Sequence, residues 1–136
     1  MKKIFLISPV RNANKEISEQ VKKYVKKLEN QGHKVHWPLR DTDQNDPIGL
    51  RICTDNAKAI IKSDEIHIWW NPESRGSIFD FGMAFMFNVL SENLGIFQAK
   101  KIVLANPQEV DPSNQKSFNN VLLVLHQKSL NKEAGK

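Results

Sequence analysis

The stretch "DEIHIWWNPESRGSIFDFGMAFMF", residues 64–87, predicts a strand, a turn and a helix in direct succession. Its first seven residues are rich in isoleucine and tryptophan, which is typical of a buried strand. Residues 71–77 contain proline, glycine and two serines, which favour a turn. From Ile78 to Phe87 only Asp80 and Gly82 are not apolar, and this run predicts an apolar helix over residues 78–92.

Predicted strands followed by predicted helices recur along the whole chain. Apolar runs predict three further strands at residues 2–8, 33–37 and 100–106, and helical spacing predicts helices at 13–31, 48–62 and, with a strand as the alternative, 117–127. The polar segment 38–49 is predicted to be a loop. Alternating strands and helices indicate an α/β fold with a parallel sheet and helices on both faces.

The totals are those of an ordinary globular protein. A chain of 136 residues suits one domain, residues 1–136, with a tail expected to be disordered from about residue 129. No apolar run reaches the length of a membrane span, and the first apolar run stops at Ser8, too early for a signal peptide. We therefore predict a cytoplasmic protein. The single cysteine, Cys53, excludes an internal disulfide and offers no cysteine pair for zinc, so no metal is predicted.

The net charge of +5 bears on the kind of partner. Four lysines lie on the outward face of the first predicted helix, at positions 22, 23, 26 and 27. No aromatic residues interleave with them to stack bases, so a solvated face is favoured over an RNA-binding stripe. A positive balance favours anionic small molecules, and we predict no nucleic-acid partner.

Asp80 has two interpretations. With Ser77 it forms an S-x-x-D capping box at the start of the predicted helix. Alternatively it is a nucleophile or base on the floor of a pocket, where its apolar neighbours would raise its pKa.

Polar groups cluster where the carboxyl ends of the predicted strands meet, which is where parallel sheets bind ligands. Ser8 and Arg11 follow the first strand, and the third strand is followed by Ser74, Arg75, Gly76 and Ser77. Hydroxyls, an arginine and backbone amides at a helix start suit a phosphate group. An ordinary turn and a surface arginine are the alternatives. Trp69 and Trp70 are predicted to pack in the core or at an interface, with base stacking as the weaker alternative.

Three segments, "IFLISPVR", "DNAKAIIKSDEIHIWW" and "NPESRGSIFDFGMA", resemble the nucleoside 2-deoxyribosyltransferase superfamily, which includes the 2'-deoxynucleoside 5'-monophosphate N-glycosidases. The resemblance covers about residues 3–105. Its most specific part is the turn motif, with Ser74, Gly76, Asp80, Gly82 and Ala84. The resemblance implies a three-layer Rossmann-like or flavodoxin-like sandwich with a sheet of four to five parallel strands. It also implies a homodimer or larger assembly.

The resemblance further implies the chemistry. Asp80 would attack the anomeric carbon of a 2-deoxyribosyl group and form a glycosyl ester, which water or a second base then resolves. Asp55 would supply the second acid, after a one-residue shift. No cofactor is expected, and the substrate would be a nucleotide or nucleoside.

Two positions depart from the family pattern. The family nucleophile is usually Glu, and the shorter Asp80 would move the reacting oxygen by about an ångström. Ser74 stands where the base-exchanging transferases carry Asp and where the monophosphate hydrolases carry Ser, which favours a nucleotide. Alternative functions are an inactive nucleotide-sensing module of the same fold and an NAD-cleaving domain.

Overall fold

The computed structural model describes residues 1–10 and 14–134. The strands are β1 (Lys3–Ile7), β2 (Lys34–His36), β3 (Glu65–Ile68) and β4 (Lys101–Leu104). The α-helices are α1 (Lys15–Asn30), α2 (Pro38–Asp41), α3 (Leu50–Lys62), α4 (Arg75–Leu94) and α5 (Phe118–Ala134), and Pro107–Glu109 forms a short 3₁₀ turn. All strand pairs are parallel, in the order β2-β1-β3-β4. The predicted α/β fold, with a parallel sheet flanked by helices, is confirmed.

The sheet has a hydrophobic core on each face because β1 is apolar at every buried position. Ile4 and Leu6 point towards α1, where they pack with Val21 and Val25. The alternate residues of β1, Phe5 and Ile7, belong to the core that includes side chains of α3 and α4. The helices therefore form two outer layers, as expected for strands whose two sides are both apolar.

The two adjacent tryptophans confirm the core interpretation. Trp69 lies in the core under α1 and Trp70 lies in the core under α4, and their exposed fractions are 8% and 4%. Opposite placement follows from the two-residue period of a strand.

Helix α5 lies beside β4, which is one of the two edge strands of the sheet. The Leu104 backbone N–H, which points away from β3, donates to His126 Nδ1 at 3.0 Å. Leu122 is fully buried and Ser129 is almost fully buried. Residues 129–134, where the sequence analysis expected a disordered tail, belong to α5 in this structure.

The segment predicted as a loop contains one helical turn, α2. Pro38 occupies its first position, and the Asp41 carboxylate accepts the Trp37 backbone N–H at 2.8 Å. Arg40 forms an ion pair with Glu29 of α1, which fastens this turn to a neighbouring helix. The helix arises from contacts outside its own four residues.

Helix α4 begins earlier than the sequence predicts, and this changes the interpretation of Asp80. The N-cap is Ser74, whose side chain accepts the Ser77 backbone N–H at 3.3 Å. The predicted capping box of Ser77 and Asp80 is therefore wrong, because Asp80 lies in the second turn of the helix. The Asp80 carboxylate therefore does not cap the start of the helix.

In the part of the chain that the structure describes, no helix combines the length and apolar character needed to cross a lipid bilayer.

Candidate functional site

A cleft of about 610 Å³ opens at the carboxyl ends of the strands. The loops after β1 and β3, helix α3 and the start of α4 supply most of its wall. The lining residues are Ser8, Pro9, Val10, Pro38, Gln44, Gly49, Ile52, Cys53, Asn56, Asn71, Glu73, Ser74, Arg75, Gly76, Ser77, Phe79 and Asp80. This is the edge of a parallel sheet at which ligands bind.

Asp80 reaches the cleft because of its spacing along α4. Gly76 and Ser77 precede it by four and three residues, so the three lie on one helix face. Burial raises the pKa of the Asp80 carboxyl from 3.8 to about 7, and a hydrogen bond from the Asn56 side chain opposes this rise. The group therefore exchanges its proton near neutral pH, as a nucleophile or base for reactions at that pH requires.

Asn56, the neighbour of the predicted second acid Asp55, is the residue of this pair that lines the cleft. Asn56 of α3 is buried and lines the cleft, whereas Asp55 forms an ion pair with Arg51 at 2.8 Å on a half-exposed part of the same helix. Adjacent residues of an α-helix point about 100° apart, so they cannot share one face. Asp55 therefore does not line the cleft in this structure, and its role as the second acid stays a prediction.

The predicted phosphate-binding residues come together on the cleft wall. The hydroxyl of Ser74 caps Ser77 and also donates to its hydroxyl at 2.9 Å. Among the described residues, the amides of Arg75 and Gly76 in the first turn of this 20-residue helix have no protein acceptor and can bind water or a ligand. The positive end of the helix therefore faces the cleft.

Ser8 also lines the cleft, and it accepts the indole N–H of Trp37 at 3.2 Å. Arg11 lies outside the described residues. Trp69 and Trp70 do not line the cleft, so their placement gives no support to base stacking. Within residues 1–10 and 14–134, no three His, Cys, Asp or Glu side chains group closely enough to hold a metal ion.

Comparison with known proteins gives a structural match. No protein-family model matches the sequence, and no curated protein matches it either. A solved structure of the 2-deoxyribosyltransferase from Bacillus psychrosaccharolyticus aligns with 88% of this chain and 90% of that chain, with a TM-score of 0.53 and 21% identity. The fold is similar to that of a deoxyribosyltransferase. At this level of identity the match establishes the fold alone.

Two residues of this deoxyribosyltransferase-like fold were missed from the sequence. Asn56 precedes the buried Ile60 by four residues, and this helical spacing was a signal that it faces inwards. Asn106 is fully buried after β4, and its side chain exchanges two hydrogen bonds with the Trp70 backbone, at 2.8 and 3.0 Å. It holds the start of the turn that leads into α4, and no local pattern marked it.

Proposed function

We propose that the protein cleaves or exchanges the N-glycosidic bond of a nucleoside or a (deoxy)nucleoside 5'-monophosphate, with Asp80 as the nucleophile. The observation that carries the proposal is the position of Asp80, whose carboxyl is mostly buried on the cleft wall one turn beyond a helix start suited to an anion. The similar fold of a 2-deoxyribosyltransferase supports it.

The reaction has two steps. An ionised oxygen of Asp80 attacks C1' of the sugar while the bond from C1' to the base nitrogen breaks, and a glycosyl ester forms. Water then attacks C1', gives its proton to the medium and releases the carboxylate, or a second base attacks in its place. Asn56 cannot protonate the departing base, because a carboxamide has no acidic proton near neutral pH, so we assign that proton to water in the cleft.

The first turn of α4 and its N-cap favour a monophosphate over a plain nucleoside as the substrate. Ser74, Arg75, Gly76 and Ser77 all line the cleft together with Asp80. A 5'-phosphate at this helix start would gain charge-assisted hydrogen bonds. The same proposal places the chain with the monophosphate N-glycosidases among the proteins that its sequence resembles.

Product analysis tests the reaction. The protein is incubated with each common nucleoside and its 5'-monophosphate, and the free base is separated and quantified by chromatography. We expect base release, faster from a monophosphate than from its nucleoside. Adding a second, labelled base distinguishes exchange from hydrolysis. Absence of both products with every substrate would contradict the proposed reaction.

A second candidate is a nucleotide-binding module without turnover, and Asn56 is the observation that favours it. A carboxamide stands beside Asp80 where an acid would be needed to protonate the leaving base. This candidate predicts that nucleotides raise the melting temperature as their concentration increases, while no base is released. Base release excludes it.

We also propose that the protein is a homodimer joined through the outer face of α4. An apolar groove of about 490 Å³ lies between α3 and α4. Its lining contains no charged side chain and consists of Ala57, Ile60, Ile61, Phe79, Gly82, Met83, Met86, Phe87 and Leu90. Phe79 also lines the cleft, so a second copy on this surface would lie beside the site.

Gly82 supports an occupant on this groove. Glycine inside a helix costs about 1 kcal/mol relative to alanine, yet a Cβ at Gly82 would meet no atom within 4 Å. Nothing within the described chain therefore requires glycine there. Close approach of another backbone would require it.

Met86→Glu is expected to weaken the dimer by at least about 100-fold, because a two-fold interface would bury two unpaired carboxylates. Sedimentation velocity over a range of concentrations measures the change. Val124→Glu on α5 is the matched control, since Val124 is 55% exposed and Met86 is 57% exposed. A wild-type chain that stays monomeric, or equal weakening by both variants, would show that this groove is not the interface.

A further inference from the structure

Two side chains outside the cleft lining are connected to Asp80 through Asn56. Thr42 is buried just after α2, and its hydroxyl donates to Asn56 Oδ1 at 2.9 Å. His36 ends β2, and its Nε2 lies 2.9 Å from the same hydroxyl oxygen. Two hydrogen bonds therefore link β2 to Asn56 on α3, and the Asn56 side chain in turn lowers the pKa of the Asp80 carboxyl on α4.

The direction of each hydrogen bond follows from the number of protons. A threonine hydroxyl has one proton, and Thr42 gives it to Asn56. Its oxygen must then accept a proton from His36, which requires the tautomer with hydrogen on Nε2. Burial lowers the pKa of His36, which favours the neutral ring, and the ring stacks on Phe5 with the ring centres 5.4 Å apart.

The fixed direction determines which end of Asn56 faces Asp80. A carboxamide has a donating and an accepting end of nearly equal size, and it can turn by 180°. With Oδ1 held by Thr42, the Nδ2 group is the end that donates to Asp80. The reversed carboxamide would bring its oxygen against the carboxylate and repel it.

We propose that Thr42 and His36 are positioning residues, which hold the Asn56 carboxamide so that its Nδ2–H donates to the Asp80 carboxylate. The part of this proposal that concerns catalysis rests on the proposed function, because the donor would select the oxygen of Asp80 that stays free to attack the sugar. The geometric part does not depend on it.

Asn56 is the side chain that offsets the raised pKa of the Asp80 carboxyl. Among cleft-lining residues, Glu73 and Arg75 are the other charged groups on the side of α4, and neither contributes to the raised pKa of Asp80. Around His36 the charged groups are Asp41, Arg40 and Asp55.

NMR titration tests the proposal without requiring activity. The Asp80 carboxyl carbon and the Asn56 side-chain amide are followed against pH in the full chain. In the wild type we expect both signals to titrate with one midpoint. Thr42→Val should raise the midpoint of Asp80 by about half to one pH unit and should uncouple the Asn56 amide from it. Thr42→Ser, which keeps the hydroxyl, should restore the wild-type values.

Two further variants complete the test. Thr54→Val is the matched control, because the Thr54 hydroxyl donates only to the Leu50 carbonyl, and it should change neither signal. His36→Phe keeps a ring on Phe5 and removes the Nε2 donor, so it should shift the midpoint in the same direction by a smaller amount, including when Thr42→Val does not fold.

Three results would overturn the positioning proposal: an Asn56 amide that does not follow Asp80 in the wild type, a Thr42→Val midpoint equal to that of the wild type, or a folded His36→Phe with no shift. If the wild type releases no base while the Asn56 amide follows Asp80, the positioning stands and the proposed reaction fails. If base is released but the Asn56 amide does not follow Asp80, the proposed reaction stands and the positioning proposal fails.

Discussion

Asp80→Asn is expected to lower the rate of base release by at least about 1,000-fold. The substitution keeps the size of the side chain and its contact with Asn56, but an amide oxygen is a poor nucleophile and forms no glycosyl ester. The measurement is initial base release at about pH 8, where the wild-type carboxyl is mostly ionised because its pKa is about 7.

Asp55→Asn is the matched control for this loss. Asp55 belongs to the same helix as Asn56 but pairs with Arg51 and does not line the cleft, so its removal should change the rate by less than about threefold. Equal losses in the two variants would show that Asp55 takes part in the reaction. An active Asp80→Asn would remove the nucleophile from the mechanism.

The same substitution is expected to stabilise the fold when the pH is above 7. An acid whose pKa is raised by folding stabilises the protein less as the pH rises from its unfolded value towards its folded value. For Asp80 these values are 3.8 and about 7, and the difference corresponds to roughly 4 kcal/mol of unfolding free energy. Asparagine carries no charge at any of these pH values and avoids this cost.

Urea unfolding at two pH values measures the effect. The free energy of unfolding of Asp80→Asn should exceed that of the wild type at both, and the excess should grow by about 2–3 kcal/mol between pH 5 and pH 8. Asp111→Asn removes an exposed carboxylate and should follow the wild type throughout. A constant difference between Asp80→Asn and the wild type would show that Asp80 has an ordinary pKa in the folded protein.

The fold was largely predictable because its signals are local. Three of the four described strands contain two or more apolar residues, and the alternation of strands and helices is enough to indicate a parallel sheet. The helix α2 was not predictable, since it depends on the contact of Asp41 with Trp37 and on the ion pair of Arg40 with α1. Arg40 and Glu29 lie 11 positions apart in different elements, and no apolar periodicity marks either contact.

The candidate site was predictable from the sequence only for those of its residues that lie together on one helix. Asp80 and the serines of the turn lie on α4, and their spacing placed them together. The start of α4 was misplaced because both Ser74 and Ser77 are good N-caps, and only the observed hydrogen bonds distinguish them. Asn56 and Thr42 belong to other segments, and the choice between Asp55 and Asn56 depends on how α3 is rotated against the sheet.

The contact between His126 and the Leu104 amide has a consequence for how copies of the chain can associate. A bare outer strand is a template for cross-β growth, and here the imidazole occupies a backbone donor that such growth would use. Strand addition at β4 would have to break this hydrogen bond, so we expect it to be disfavoured while α5 stays in place. Loss of α5 would free that donor and would also remove the buried Leu122 from the core on the same face of the sheet.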